Sequence, residues 1–259
     1  MADFPTEYSK QAYINWHNEY VEPEKNLEKE LNALMDTLKE TSRARLAKLA
    51  DLFSRIHAFH LLAKKAQNED VSDSETDIKL IDAVKTENYD NLFKSVDSIL
   101  DKLWRKNKGR EAGSYVTIDS IKSEIGDLVR SSIVTSTFSY ATHYANSVRI
   151  WRELIGELQI SVVDYSDIEE IITQEEAKID KGYFAYHLEI RYSDGLRVEM
   201  QIYSKLSEIW RHLSHKLYEK VRLGEEVTWG HGAAASRLVS LGHLLHLAEC
   251  EVQHLKGSM

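Results

Sequence analysis

From Asn26 to about Gln67 the apolar residues Leu27, Leu31, Leu34, Met35 and Leu38, then Leu46, Leu49, Leu52, Phe53 and Ile56, return at intervals of three and four. Glu and Lys fill the positions between. That period predicts a long amphipathic helix, broken near Thr41 and Ser42. The stretch NEDVSDSETD at 68–77 has loop composition, and Leu92, Phe93, Val96, Ile99, Leu100 and Leu103 then mark one face of a helix over 88–104. WRKNKGREAGS at 104–114 reads as a mobile basic loop. After this the period changes. DLVRSSIVT at 127–135 is short and ends in β-branched residues, 140–158 is helical, and QISVVDY at 159–165 has strand character. Residues 183–192 and 196–203 alternate around Ser193-Asp194-Gly195, a hairpin signal because Asp-Gly tolerates positive φ. Helices over 205–222 and 233–255 follow. No internal repeat or low-complexity tract occurs. The layout predicts one α/β domain with a mixed, partly antiparallel sheet of about five strands flanked by helices. Its parts are N-terminal helices in 1–67, a helical insertion over 68–118, a sheet core over 119–222 and a C-terminal helix in 223–259.

Composition narrows the classes. The chain has 259 residues, long enough for a sizeable core, and a net charge of −9. The charge argues against holding nucleic acid by a broad basic surface, since phosphate neutralisation is the main source of non-specific affinity. A single cysteine, Cys250, rules out an internal disulfide framework. The opening MADFPTEYSK lacks the pattern of a signal peptide, and no apolar run approaches a membrane span. These features predict a cytoplasmic protein without membrane partners.

The hairpin carries the candidate chemistry. Side chains alternate across a strand, so Val198, Met200 and Ile202 share one face while Glu199, Gln201 and Tyr203 share the other. On the preceding strand Tyr183, Ala185 and His187 share a parity. A tyrosine, a histidine, a glutamate and a glutamine on paired strands form either a ligand floor or the solvated face of an amphipathic hairpin. On the last helix His246, Cys250 and His254 lie four residues apart on one face, suited to a soft metal or to a polar helix surface; no second ligand segment is evident.

The run Gly182, Tyr183, His187, then Val198, Glu199, Gln201, Ile202, then Trp210, His215 and Lys216 in IWRHLSHKLYEK, resembles the synthetase domain of the RelA/SpoT alarmone enzymes. It is similar also to their small single-domain relatives and the toxic small synthetases. Upstream, IGDLVRSSIVT resembles the family's strand that opens on an essential aspartate, here Asp127. SRIHAFHLLAKK resembles the donor-phosphate motif R-x-K-x-x-x-S-x-x-x-K, with Arg55 and Lys65 at its ends. The resemblance implies a nucleotidyltransferase-like fold. It also implies transfer of the β,γ-diphosphate of ATP to the 3′-hydroxyl of a guanine nucleotide, giving (p)ppGpp, or in the toxic branch of an adenine nucleotide or the tRNA 3′ end. Asp127 and Glu199 would then hold Mg²⁺, Tyr183 would stack on the acceptor base, and His187 and Gln201 would contact acceptor phosphate or ribose. Arg55, Lys65 and Arg130 would serve phosphate, and His215 and Lys216 would border the site. Taking the acceptor proton would be a further role of Glu199, ranked below metal binding. A catalytically silent nucleotide- or partner-binding regulator is the rival reading, and an antitoxin or regulatory protein and self-association are the implied partners.

Some positions depart from the family's pattern. His57 and Leu61 stand where the donor motif has lysine and serine, Tyr203 follows the V-E-x-Q-I strand where an arginine is usual, and Ser132 stands five places after the aspartate where another arginine is usual. Arg105, Lys106, Lys108 and Arg110 in the basic loop are candidates to replace the missing cations.

Overall fold

The computed structural model describes residues 4–157, 162–222, 226–230 and 232–258. Helix α1, Lys10–Tyr20, leads to α2, Leu27–Ala66. Asn26 caps α2 by accepting from Lys29 N at 3.0 Å, the role expected of an asparagine at a helix start. The break foreseen at Thr41 and Ser42 does not occur. Thr41 Oγ1 donates to Thr37 O at 2.8 Å, one turn back, and Ser42 is buried, so neither hydroxyl competes for the next turn's backbone.

The segment foreseen as a loop at 68–77 ends in strand β1, Thr76–Ile78, and α3, Lys79–Ala83, follows. The helix foreseen over 88–104 begins only at α4, Val96–Asn107, where Ser95 Oγ accepts from Ser98 N; Glu87–Leu92 is a 3₁₀ turn. The basic run 104–114 is part helix. Its cations are taken: Arg105 pairs with Asp101 at 2.7 Å, Lys106 and Arg110 with Glu124 at 3.2 and 3.0 Å, and the Lys108 ammonium lies 4.9 Å from the centre of the Trp104 ring. This stretch is also built into the core. Leu92, Ile99, Leu100 and Leu103 are buried, each contributing roughly 1.5–3 kcal/mol of transfer free energy. Asn107 reaches Tyr13 Oη at 2.9 Å and receives Val116 N at 2.8 Å.

A single turn, α5 (Ile121–Glu124), precedes β2 (Val129–Thr135), then come α6 (Phe138–Arg149) and α7 (Trp151–Glu157). The strand foreseen at 159–165 falls partly on residues outside the described set, and Val162–Tyr165 is a 3₁₀ turn. The strand of this region is instead β3, Ile168–Lys178, which pairs along β4, Tyr183–Tyr192. β4 and β5 (Arg197–Ser204) form the foreseen hairpin, with Gly195 at φ +81°. α8 (Lys205–Arg222) and α9 (Ala234–Ser258) close the chain.

The five strands run in the order β1-β2-β5-β4-β3, with β2 and β5 parallel and every other pair antiparallel. The sheet is therefore mixed, as the hydrophobic pattern predicts. One face is core. Leu188, Ile190, Val198, Met200 and Ile202 meet α6 through Ala141, Tyr144 and Val148, and α2 packs behind α6, where Tyr144 Oη donates to Phe53 O at 2.7 Å. The other face, at one end walled by α8 and α9, carries the polar side chains. Among the described residues no helix is long and apolar enough to cross a membrane.

Candidate functional site

The open face of the β4–β5 hairpin places Tyr183, His187 and Glu189 beside Gln201 and Glu199, with His187 opposite Gln201 and Glu189 opposite Glu199. These side chains close a ring of hydrogen bonds. Gln201 Nε2 donates to Glu199 Oε1, Arg211 of α8 donates to Gln201 Oε1 and, at 2.9 Å, to Tyr183 Oη, and the Tyr183 hydroxyl lies 2.7 Å from His187 Nε2. His187 Nδ1 returns to Glu199 at 3.5 Å, and Glu176 of β3 lies 2.6 Å from His187 Nε2. Half-buried polar groups such as these are stabilised by satisfying one another. Burial alone would raise the Glu199 carboxyl, but hydrogen bonds with His187 and Gln201 outweigh it and hold the group below its usual range. Burial pushes the Tyr183 hydroxyl up to about 12, so it stays a neutral phenol that accepts from Arg211.

At one end of this ring a cavity of about 460 Å³ brings Asp127 and Glu199 together with Lys102, Lys106, His187 and Glu189. Asp127 is held on both oxygens, by Lys94 at 2.8 Å and by Lys102 of α4 at 2.7 Å. The backbone sets this up, because Lys94 N donates to Leu128 O at 2.9 Å and Phe93 bridges Val129, fixing the start of α4 against the start of β2. Burial acts to raise the Asp127 carboxyl; the hydrogen bonds from Lys102 and Lys94 overcome it and lower it.

At the other end lies a cavity of about 390 Å³, lined by Tyr183, Trp210, Trp229, Arg211, Lys178 and His215 among others. Trp210 is anchored by its indole N–H on Leu238 O at 2.7 Å. Arg211 lies over the Tyr203 ring at 4.5 Å. A cation thus stands beside the position where the arginine after V-E-x-Q-I was missed, supplied by the helix instead of the strand. Aromatic faces flanked by cations suit a phosphorylated base.

The structure brings together Asp127, Glu199, Tyr183, His187, Gln201 and His215. Arg130 lies in register with Glu199 on the neighbouring strand, exposed. Lys216 is exposed on α8 and does not line either cavity. Arg55 and Lys65 lie elsewhere. They are on α2, behind the core face, with Arg55 paired to Asp51 at 2.7 Å, and neither lines the two cavities. His57, one of the departures read on α2, hydrogen-bonds Tyr140 at 2.9 Å. Lys106 lines the Asp127 cavity, and the cations that reach Asp127 itself are Lys94 and Lys102. With Ser98 they repeat the K-x-x-x-S-x-x-x-K part of the donor pattern at the same spacing, Leu92 taking the arginine position. That spacing was the available signal. Arg211 and Glu176 carried none, since each meets the ring only through tertiary packing.

Among the described residues no group of three or more His, Cys, Asp or Glu is placed to hold a metal ion. His246 stacks on Phe184 at 3.9 Å and Cys250 Sγ lies 3.7 Å from His246 Nε2. The hard oxygens of Asp127 and Glu199 in one cavity fit a cation such as Mg²⁺ that completes its shell with phosphate and water.

No family model matches the chain, and no curated protein matches it. Solved structures do. The small alarmone synthetase 2 of Bacillus subtilis covers 81% of this chain and 98% of its own at 16% identity and a TM-score of 0.45. A GTP pyrophosphokinase family protein of Streptococcus pneumoniae covers 79% and 90% at 17% identity and 0.44. The small alarmone synthetase 1 of Bacillus subtilis, bound to its product pppGpp, covers 64% and 76% at 19% identity and 0.42. The chain is thus similar, at TM-scores below 0.5, to two small alarmone synthetases and to a GTP pyrophosphokinase family protein.

Proposed function

We propose that the protein is a pyrophosphotransferase that moves the β,γ-diphosphate of ATP onto the 3′-hydroxyl of a nucleotide. The observation that carries this reading is Asp127, clasped by Lys94 and Lys102 in a cavity shared with Glu199, on the same sheet face as an aromatic and basic cavity built on Tyr183. Lys94 and Lys102 would take the donor phosphates as charge-assisted partners. Asp127 and Glu199 would hold Mg²⁺, which when bound neutralises charge on the transferred group. Tyr183 would stack on the acceptor base, while Arg211 and His215 meet its phosphates. In the transfer the 3′-oxygen forms a bond to the β-phosphorus, the bond from that phosphorus to the α,β-bridging oxygen breaks, and AMP leaves. Glu199, ionised, would take the hydroxyl proton as a role secondary to metal binding.

The purified chain would be incubated with γ-labelled ATP and Mg²⁺ and, in separate tubes, GDP, GTP, AMP, ATP alone or deacylated tRNA, with Glu199→Ala as control. Label moving to one acceptor with wild type only is the expected result, and the tube names the acceptor. A second reading, a silent nucleotide-binding regulator, is favoured by the occupation of both Asp127 oxygens and by Leu92 and Ser132 at arginine positions. Nucleotide binding without transfer, from folded protein, would select it.

A further inference from the structure

Cross-strand pairs on the open face of the β4–β5 hairpin follow one another as a track. From the end at Tyr183 the register runs His187 opposite Gln201, Glu189 opposite Glu199, and Arg191 opposite Arg197. The last pair is built around one carboxylate. Arg191 Nε donates to Glu189 Oε1 at 2.6 Å and Arg197 Nη2 donates to Glu189 Oε2, which sets the two guanidiniums side by side. Arg191 Nη1 also reaches Glu170 at 3.1 Å, and Arg197 Nη1 is tied to Ser123 O at 2.6 Å. A Cβ on Gly126 would lie 3.4 Å from Arg197 Cζ, so this guanidinium packs against the residue that precedes Asp127. Both arginines line the cavity that holds Asp127, Lys102 and Glu199. Neither has a part in the transfer described above. The fold needs the trio little, because the Arg191 side chain is 43% exposed and exposed ion pairs add little stability.

We propose, on the pyrophosphotransferase reading of the site, that Arg191 and Arg197 hold the α-phosphate of the donor, the part that leaves as a nucleoside monophosphate. In such a transfer the attacking and leaving oxygens lie roughly in line on the β-phosphorus. The acceptor enters from Tyr183 and the β-phosphorus lies by Asp127 and Glu199, so the leaving oxygen points on along the hairpin, towards the arginines. A two-residue step of a strand covers about 7 Å, a span that a phosphate and a guanidinium fill. The 3′-oxygen bonds to the β-phosphorus as the bond from that phosphorus to the α,β-bridging oxygen breaks. The electron pair stays on the bridging oxygen, and the nucleoside monophosphate gains a negative charge. Cations fixed beside that oxygen beforehand stabilise the charge as it develops. Glu189 does the fixing, since one carboxylate orients both planar forks, which an ammonium does not have. Lys94 and Lys102, on the α4 side, are left to the transferred diphosphate.

Calorimetry on the full chain with two probes, each with Mg²⁺, separates the halves of the donor. α,β-Methylene-ATP carries the α-phosphate and is inert at the bond that breaks, while inorganic pyrophosphate stands for the transferred half. Arg191→Met is expected to weaken α,β-methylene-ATP by about tenfold and to leave pyrophosphate within about twofold of wild type, at an unchanged melting temperature. Arg191→Lys, which keeps the charge and loses the fork, is expected to fall between them. Lys102→Met weakens both probes and so marks the cavity being read. In the transfer assay Arg191→Met lowers kcat by at least about tenfold while the acceptor KM stays as in wild type. Equal weakening of both probes by Arg191→Met, or no weakening of either, would overturn the assignment of the arginines and leave the reading of the site standing. A wild type that binds neither probe would remove the pyrophosphotransferase reading itself, and the assignment with it.

Discussion

Lys102 and Lys94 occupy the oxygens that a metal ion would need, because each donates to one oxygen of Asp127. A divalent cation must displace at least one ammonium, and a polyphosphate offers that ammonium a new anion. On the proposed reading, metal and ATP would therefore bind together more readily than either alone. Replacing Lys102 by Met removes one competitor and one phosphate ligand, so Mn²⁺ without nucleotide binds at least about fivefold more tightly while ATP binds about tenfold more weakly. Electron paramagnetic resonance of free Mn²⁺ and calorimetry with ATP measure the two effects, and equal Mn²⁺ affinity in both proteins would remove Asp127 from the metal site. At the far end of the ring, Arg211 uses two arms on Gln201 and Tyr183. Lysine lacks that fork, so Arg211→Lys as well as Arg211→Ala lowers acceptor affinity, by about ten- to a hundredfold if a charged hydrogen bond is worth roughly 1.5–3 kcal/mol. Acid stability follows from the same residues. The Asp127 and Glu199 carboxyls are lowered in the fold. Their contribution is fully present above the ordinary carboxylate pKa of about 4 and is lost as pH falls through the lower folded values. Asp127→Asn therefore flattens the acid limb of a melting-temperature profile below about pH 4 and lowers the plateau above it.

At the scale of elements, α9 is held against the start of β4 by two glycines. A Cβ on Gly182 would lie 2.5 Å from Val239 O, at a φ of +67°, and one on Gly242 would collide with the Gly182 carbonyl. Helix propensity alone would make Gly242→Ala stabilising by about 1 kcal/mol; the collision reverses the sign. The melting temperature is expected to fall, by an amount matching roughly 1–3 kcal/mol, and a rise would show that α9 does not sit this close. Glu249 adds a second anchor, accepting from Phe138 N at 3.2 Å and Ser204 Oγ at 2.9 Å. How far such elements can be read from the chain depends on whether one face of each is wet. The β4–β5 hairpin alternates buried and half-exposed residues from Tyr186 to Tyr192 and from Arg197 to Ile202, and its period of two is visible in the residues themselves. β3 is not legible in that way. Its register shifts between Ile168 and Glu170, and its outer half, with Gln174, Glu175, Glu176 and Lys178, is polar on both faces, so neither helical nor strand period survives. The lysines proposed to take the donor phosphates were hidden differently. Their spacing is intact, but the helix that carries Ser98 and Lys102 starts at Val96, and an arginine-to-lysine interval of the right length on α2 competes for the same pattern. Only contact with Asp127 separates the two.

Over the whole molecule, charge and the site oppose each other. The chain carries −9, while Lys178, Lys181, Arg211 and His215 all line the cavity at Tyr183. A mononucleotide brings only a few charges, which those side chains could meet. A tRNA must bring most of its phosphates against the acidic remainder of the surface, where no counterions are released in exchange. Local attraction within about a Debye length of 8 Å serves the small ligand alone at physiological salt. Mononucleotide acceptors are therefore expected to bind with weak salt dependence, and deacylated tRNA is expected not to displace them at near-physiological ionic strength. Trp210 and Trp229 line the same cavity, so quenching of their emission on titration with GDP, GTP or AMP gives the affinity, and competition with tRNA gives the comparison. Displacement by tRNA at stoichiometric concentration, with a steep loss of affinity as salt rises, would place the polynucleotide on a surface that the net charge conceals. Binding of a mononucleotide that persists as salt rises would identify the cavity as built for the small acceptor, held by its aromatic faces and the half-buried Arg211 more than by the exposed Lys178 and Lys181.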